Sequence, residues 1–499
     1  MKKYILLIFM IALMVSCSND FLSLSPPTQL AETDYFKNEK ELSDALTSAY
    51  SGLYGWYTHY NAINNLASDI LSDDMKAGGG DGGDIIAYQC LDNYTMNYIN
   101  QPFWIWIEGY WGAYRANIVL DKAPGIEGNA KNIARMVAEA HFLRTLNYFW
   151  LWQYYGNLII LDHNLTVPGE YYTQKQYTAD EVYALLVKDL DDNVIGKLPS
   201  VSEIPGSELG RAANEAAIML KAKMVLHQND QSKFAEVVNQ LKEVINSNKF
   251  DLYPDFGKLW TRDGEFCSES IFEVNATKED YVNVMMAVFG MRGITAGDSE
   301  FLSGGWGFGP IEPEVVNLYE PGDIRKAGSL ISVEDSITKY ASASPEKQWK
   351  KDSDIGYQYT GFYQTKYTPR VGYTNDGTWC ENNIRIFRYS DMLLVAAEMS
   401  LRGGGSAADA QTYYAKVYNR ARPAASTVPA VDLNKIYLER RLEFLGEGQR
   451  YFDILRTGKA EQLLGSKGWK ARNKFLPLPN GDVQTSQGSL KQNPGYDVP

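Results

Sequence analysis

From Ala134 to Tyr155 the chain reads ARMVAEAHFLRTLNYFWLWQYY, which is apolar around most of a helical circumference. A helix with no polar stripe has to be covered on all sides, so this run commits the chain to a large helical core. The rest of the sequence supplies the covering helices.

NEAAIMLKAKMVLH (Asn214 to His227) is followed by the breaker Asn229-Asp230 and then by KFAEVVNQLKEVINS (Lys233 to Ser247). Much later FRYSDMLLVAAEMSLR (Phe387 to Arg402), a GGGS turn and AADAQTYYAKVYNRAR (Ala407 to Arg422) repeat the arrangement. Each pair has the span of a tetratricopeptide helix-turn-helix unit of ~34 residues. Strand-like alternation is scarce. The expected fold is therefore all-α, a tetratricopeptide-like scaffold of helix pairs, and no linker divides residues 28–499.

Two stretches, about 54–104 and 251–383, lack a sustained period and read as loop-rich insertions. Turn signals such as Gly304-Gly305, Gly309-Pro310 and Asn375-Asp376-Gly377 punctuate the second. Long irregular segments in a compact domain tend to be functional. These two are the expected ligand-bearing surface.

Their aromatic residues suggest what that ligand is. Trp306 and Phe308 lie in SGGWGFGP between glycines, Trp379 follows the turn NDGT, Trp349 lies among lysines in KQWKKD, and Tyr98 and Trp104 lie in DNYTMNYINQPFW. A flat ring held in a loop beside amides and carboxylates suits a sugar, whose C–H face stacks while its hydroxyls are hydrogen-bonded. Asp73, in SDDMKAGGGDGGD, is the candidate carboxylate. The same run offers Asp74, Asp81 and Asp84 as hard oxygen ligands, but it departs from the spacing of a calcium loop. Trp106, Tyr110 and Asn117 share one helix face and are read as scaffold.

The N-terminus points to a location. Lys2-Lys3 precede about a dozen apolar residues, too few to span a bilayer of ~30 Å and suited to a secretory leader over residues 1–16. Met14-Val15-Ser16-Cys17 resembles a bacterial lipobox, which makes Cys17 the lipidation site and residues 17–27 a tether. Loss of the leader removes two lysines and takes the formal charge from -13 to -15. So acidic a chain disfavours nucleic acid and anionic headgroups, leaving the lipid as its membrane contact. Cys90, Cys267 and Cys380 are widely spaced, and the four histidines show no metal-ligand spacing, which argues against zinc, redox or cofactor chemistry.

No nucleophile elbow, Walker loop or zinc-protease motif is present. The stretch ERRLEFLGEGQRYFDILRTGKA (Glu439 to Ala460) is the one array with the look of acid-base chemistry. Gly446 and Gly448 should break it into two helical pieces, each costing about 1 kcal/mol inside a helix. Arg440 with Glu443, Glu447 with Arg450, and Asp453 with Arg456 are spaced to pair on a helix surface. The expectation is a structural clamp, with no catalytic residue.

Taken with NEKELSDALTSAYSGLY (Asn38 to Tyr54), WIEGYWGAYRANIVLD (Trp106 to Asp121), TADEVYALLVKDLDDNVIGKLP (Thr178 to Pro199), NRARP (Asn419 to Pro423) and KFLPLPNGDVQTSQGSLKQNPGY (Lys474 to Tyr496), these stretches resemble the SusD/RagB family of nutrient-capturing surface lipoproteins of Bacteroidota. The resemblance implies a helical scaffold with its ligand site in the loop before Trp106 and the insertion between the helix pairs. It further implies an outer-membrane, lipid-anchored, cell-surface protein that binds oligosaccharides or polysaccharides without cleaving them. The implied partner is a SusC-like TonB-dependent transporter, which receives the captured glycan. A peptide-binding lid of RagB type is the alternative, and a glycoside hydrolase using a buried carboxylate pair is a third reading.

Overall fold

The longer helices are numbered here in chain order: α1 (Glu39–Thr58), α2 (Phe103–Lys122), α3 (Ala130–Tyr155), α4 (Ala179–Asn193), α5 (Asn214–Gln228), α6 (Phe234–Asn246), α7 (Tyr389–Met399), α8 (Ala407–Ala421), α9 (Leu433–Glu443) and α10 (Arg450–Arg456). They come from a computed structural model that describes residues 36–58, 63–276, 284–297, 299–368, 370–372 and 381–496. Cys17, Trp379 and Cys380 lie outside these residues, as do the leader and the tether.

Helix α3 is the axis of the scaffold. From Ala138 to Tyr155 every residue except His141 is buried, as a run without a polar stripe demands. Asn129 starts it by accepting the amides of Lys131 and Asn132. Helices α1, α2 and α4 pack on it, and Trp56 of α1 donates its indole N–H to Asn147 at 2.8 Å. A Thr178–Glu181 capping box begins α4.

The two helix pairs occur where their sequences place them. Helix α5 stops at Asn229 in the left-handed region (φ 61°) and α6 turns back against it. Helices α7 and α8 form the second pair, joined by a π-turn at Ser400–Gly404. Phe387 and Arg388, expected to open α7, belong instead to a strand. The chain is mainly helical, a tetratricopeptide-like scaffold with little sheet.

The two insertions are more ordered than their sequences suggest. Helix α1 runs through Thr58, and Asn64–Ile70 and Ile86–Asp92 are helical. Antiparallel two-stranded ribbons stiffen the second insertion: β3 (Ser270–Val274) with β8 (Ile384–Arg388), β4 (Ile294–Ala296) with β6 (Trp349–Lys351), and β5 (Leu330–Ser332) with β7 (Phe362–Gln364). A further ribbon, β1 (Leu158–Ile159) with β2 (Gln176–Tyr177), follows α3. Beneath the loops lie two small cores. Met75, Ile311, Val315, Leu442 and Leu445 form one, and Met291, Ile294, Trp349 and Tyr363 the other. Trp349, flanked by lysines in sequence, is therefore buried.

Helices α9 and α10 are the two pieces of the charged array. Between them Gly446 (φ 79°) and Gly448 (φ 73°) take conformations that side-chain-bearing residues avoid. A methyl group on Gly448 would meet the Asn65 backbone at 2.7 Å.

Candidate ligand-binding surface

Segments distant in sequence meet at one face of the molecule. Met75 to Gly79 runs antiparallel to Gly307 to Ile311: the Gly79 amide donates to the Gly307 carbonyl at 3.0 Å and the Gly309 amide to the Ala77 carbonyl at 3.1 Å. Gly78 has φ 70°, and a methyl group there would lie 2.3 Å from the Gly307 oxygen. A third loop closes on the pair, with the Tyr357 amide donating to the Gly79 carbonyl (2.8 Å) and the Gln358 side chain accepting the Gly78 amide (2.9 Å).

Arg292 sits at the junction. A methyl group on Gly80, Gly307 or Gly356 would lie 3.2, 2.7 or 3.5 Å from its side chain, and its guanidinium donates to Asp354 at 3.1 Å. Around it Trp306 is half-buried, its amide pinned to the Ala287 carbonyl at 2.8 Å, and the Tyr357 ring is 42% exposed. Asp81 and Asp84 hold the glycine loop by accepting the amides of Gly83 and Gly80, both at 2.7 Å. The result brings two partly exposed aromatic residues, a guanidinium and carboxylates together on backbones that cannot easily shift. Those are the chemical groups by which a polyhydroxylated chain can be stacked on and hydrogen-bonded.

The residues singled out from sequence meet different fates. Trp306 is on this surface. Phe308 is not: it is 1% exposed and sits edge-on to Tyr88 at 5.7 Å between ring centroids. The pairing of Gly307–Ile311 with Met75–Gly79 turns the Phe308 ring inward, which corrects its reading as a ligand contact. Asp73 is corrected as well. Arg450 takes both its oxygens (2.7 and 2.9 Å), and Arg441 adds a pair at 3.1 Å. Burial alone would raise Asp73, but these arginines hold it below its ordinary value.

Tyr98 is half-buried in the loop before α2. Trp104 is half-buried in the first turn of α2, with its ring tilted on Phe103 at 5.0 Å. Trp106, Tyr110 and Asn117 are scaffold, donating respectively to Asp482 (2.7 Å), the Ile159 carbonyl (2.9 Å) and the Leu161 carbonyl (3.0 Å). The four aspartates weighed for calcium separate: Asp74 pairs with Arg441 at 2.7 Å while Asp81 and Asp84 serve their own loop. Among the described residues no acidic, histidine or cysteine group gathers as a metal site. Arg292, Asp354 and Tyr357 were missed, and glycines next to Arg292 and Tyr357 were the available signal.

The charged array is a buried ion lattice. Glu443 accepts from Arg388 (3.0 Å), Arg325 (3.2 Å) and Arg420, while Glu447 accepts from Arg388 (2.7 Å) and Lys366 (2.6 Å). Burial would raise Glu443, yet the surrounding arginines hold it well below the usual carboxylate range. Arg440 reaches Asp391 and Asp453 instead of Glu443. Of the three pairs expected along the helix, Asp453 with Arg456 forms (2.7 Å). A carboxylate held as strongly ionised as Glu443 makes a poor general acid. Asp69 and Asp74, which burial pushes up, are closed off from solvent.

Comparison with known proteins agrees with this architecture. A model of the SusD family matches residues 268–496, and a model described as starch-binding, associating with the outer membrane, matches residues 20–226. Surface glycan-binding protein A from Bacteroides fluxus is 32% identical, with a TM-score of 0.82 over 92% of this chain and 100% of its own. The chain belongs to the SusD/RagB family. Another SusD-like structure, surface glycan-binding protein A from Bacteroides thetaiotaomicron in complex with laminarihexaose, is 29% identical with the same TM-score and coverage. SusD-like protein P2 of Formosa agariphila is 25% identical over 99% of this chain and 100% of its own length. The SusD-like fold thus extends over both insertions as well as the helix pairs.

Proposed function

We propose that this chain is a glycan-binding lipoprotein of the outer-membrane surface. It captures oligosaccharide or polysaccharide without cleaving it and delivers it to a SusC-like TonB-dependent transporter. The observation that carries the reading is the convergence of the Gly78–Asp84 loop, Arg292, Trp306 and Tyr357 on one exposed face. Support comes from the similar protein whose structure is in complex with laminarihexaose. Trp379, outside the described residues, is a further candidate stacking ring, Tyr98 in the loop before α2 and Trp104 in the first turn of α2 are others, and Cys17 carries the lipid.

The test is retention in native gels containing polysaccharides, with Trp306→Ala beside wild type. Wild type should be retarded by at least one neutral glycan, and Trp306→Ala should weaken that binding about tenfold, the loss of one stacked ring. Retention by no glycan together with peptide binding would overturn the glycan reading, and release of reducing ends would favour an enzyme. Lipid labelling that survives Cys17→Ala would overturn the anchor. Elution without a barrel from solubilised outer membrane would overturn the transporter pairing.

A further inference from the structure

A cleft lies on elements other than those of the candidate surface. Its wall is formed by α2 with Trp106, Tyr110 and Trp111, by the turn Glu170–Thr173 with Tyr171, and by the helix Asn480–Thr485 with Asp482 and Thr485. Its volume of about 330 Å³ is at the lower end of the ~300–1,000 Å³ seen for small-molecule sites, enough for one or two sugar rings.

The cleft is built from groups that are already fixed. Trp106 is almost fully buried, donates its indole N–H to one oxygen of Asp482 at 2.7 Å, and rests on Tyr110 (4.7 Å) and Tyr155 (5.1 Å). The Tyr110 hydroxyl donates to the Ile159 carbonyl, and Thr485 to the Gly481 carbonyl. The other oxygen of Asp482 has no hydrogen-bond donor among the described residues and remains free to accept. At the rim Trp111 is 51% exposed, although its helix has a buried face available. Among the described residues no lysine or arginine lines the cleft. Aromatic faces with one acceptor and no cation suit a neutral pyranose and repel uronates and sulfated sugars.

We propose that this cleft is a second saccharide site, for a neutral sugar unit, with Trp111 as the stacking ring and Asp482 as the hydroxyl acceptor. The proposal rests on the glycan reading of the family surface, and uses none of that surface's residues. Two sites on one chain bind a polymeric ligand more tightly than either alone, because the second contact is intramolecular.

The experiment is fluorine NMR on the intact protein carrying 5-fluorotryptophan, with the Trp111 and Trp306 signals assigned by substitution. The probes are laminarihexaose, cellohexaose, maltohexaose, mannohexaose and xylohexaose, with oligogalacturonate as the anionic control. A saturable shift of the Trp111 signal with a neutral probe is expected. Asp482→Asn, which keeps an acceptor for Trp106, should weaken that shift about tenfold. A Trp306 shift with an unmoved Trp111 signal overturns the second site and leaves the proposed function standing. A Trp111 shift alone leaves the cleft standing and overturns the Trp306 surface. Silence of both signals for every neutral probe overturns both, and a Trp111 response to oligogalacturonate overturns the neutral class.

Discussion

The guanidinium of Arg450 grips the carboxylate of Asp73 at two points, 2.7 and 2.9 Å, although the two residues are 377 positions apart. The pair fastens the start of the glycine loop to α10. Asp73→Ala removes the acceptor and leaves Arg450 largely buried without its partner, which should cost about 3 kcal/mol. Urea denaturation will measure this. Unchanged stability with lost glycan retention would return Asp73 to the ligand site.

Gly78→Ala probes the convergence of the loops. Its φ of 70° and the Gly307 oxygen 2.3 Å away leave no room for a methyl group. The variant should keep wild-type helix content by circular dichroism while losing most glycan retention. Retention equal to wild type would show that the loop pairing does not position the ligand surface.

Glu443→Gln tests the ion lattice. The substitution leaves Arg325, Arg388 and Arg420 with less compensation in a buried site, and a destabilisation of about 3 kcal/mol or more is expected. Since burial tends to raise Glu443 and the arginines more than offset it, the carboxylate stabilises the fold above the unfolded pKa of ~4.3. That contribution is lost as pH falls further toward its depressed value. A change in unfolding free energy below about 1 kcal/mol in urea denaturation would mean that the lattice is redundant.

His227 contributes acid sensitivity in a different window. It is half-buried between Trp152 and Phe452, and desolvation, with Arg456, Lys474 and Lys223 against the opposing Asp453, pushes it down to about 3. The unfolded chain binds a proton below ~6.5 that the folded chain refuses, so stability falls by up to about 1.4 kcal/mol per pH unit from there toward 3. Stability against pH for His227→Gln should have a shallower slope over that range. Parallel curves would place the acid sensitivity elsewhere.

The parts of the fold that were legible in sequence are those with a local period. Helix α3, the pairs α5–α6 and α7–α8, and the break at Gly446-Glu447-Gly448 follow from residues that are neighbours in the chain. The partners of the charged residues do not, because Glu443 and Arg440 reach strands and helices that no spacing rule connects. Phe308 and Trp349 show the same limit. Flanking glycines and lysines describe the chain beside a ring, while its burial is decided by a segment paired from elsewhere, Met75–Gly79 for the one and β4 for the other. Trp306 stays half-buried beside that pairing, whereas Arg292 and Tyr357 reach the same place only through the fold.

The latch between α9–α10 and the first loop also sets an order in time. Asp69, Asp73 and Asp74 receive their partners, the Gly448 amide and the guanidiniums of Arg441 and Arg450, from a stretch of chain that follows them by 367 to 379 residues. Closing a loop that long is slow, and its early members wait unpaired until the late ones arrive. The exposed face is thereby a certificate of completeness: a molecule truncated before these arginines has the sequence of the glycine loop without the means to display it.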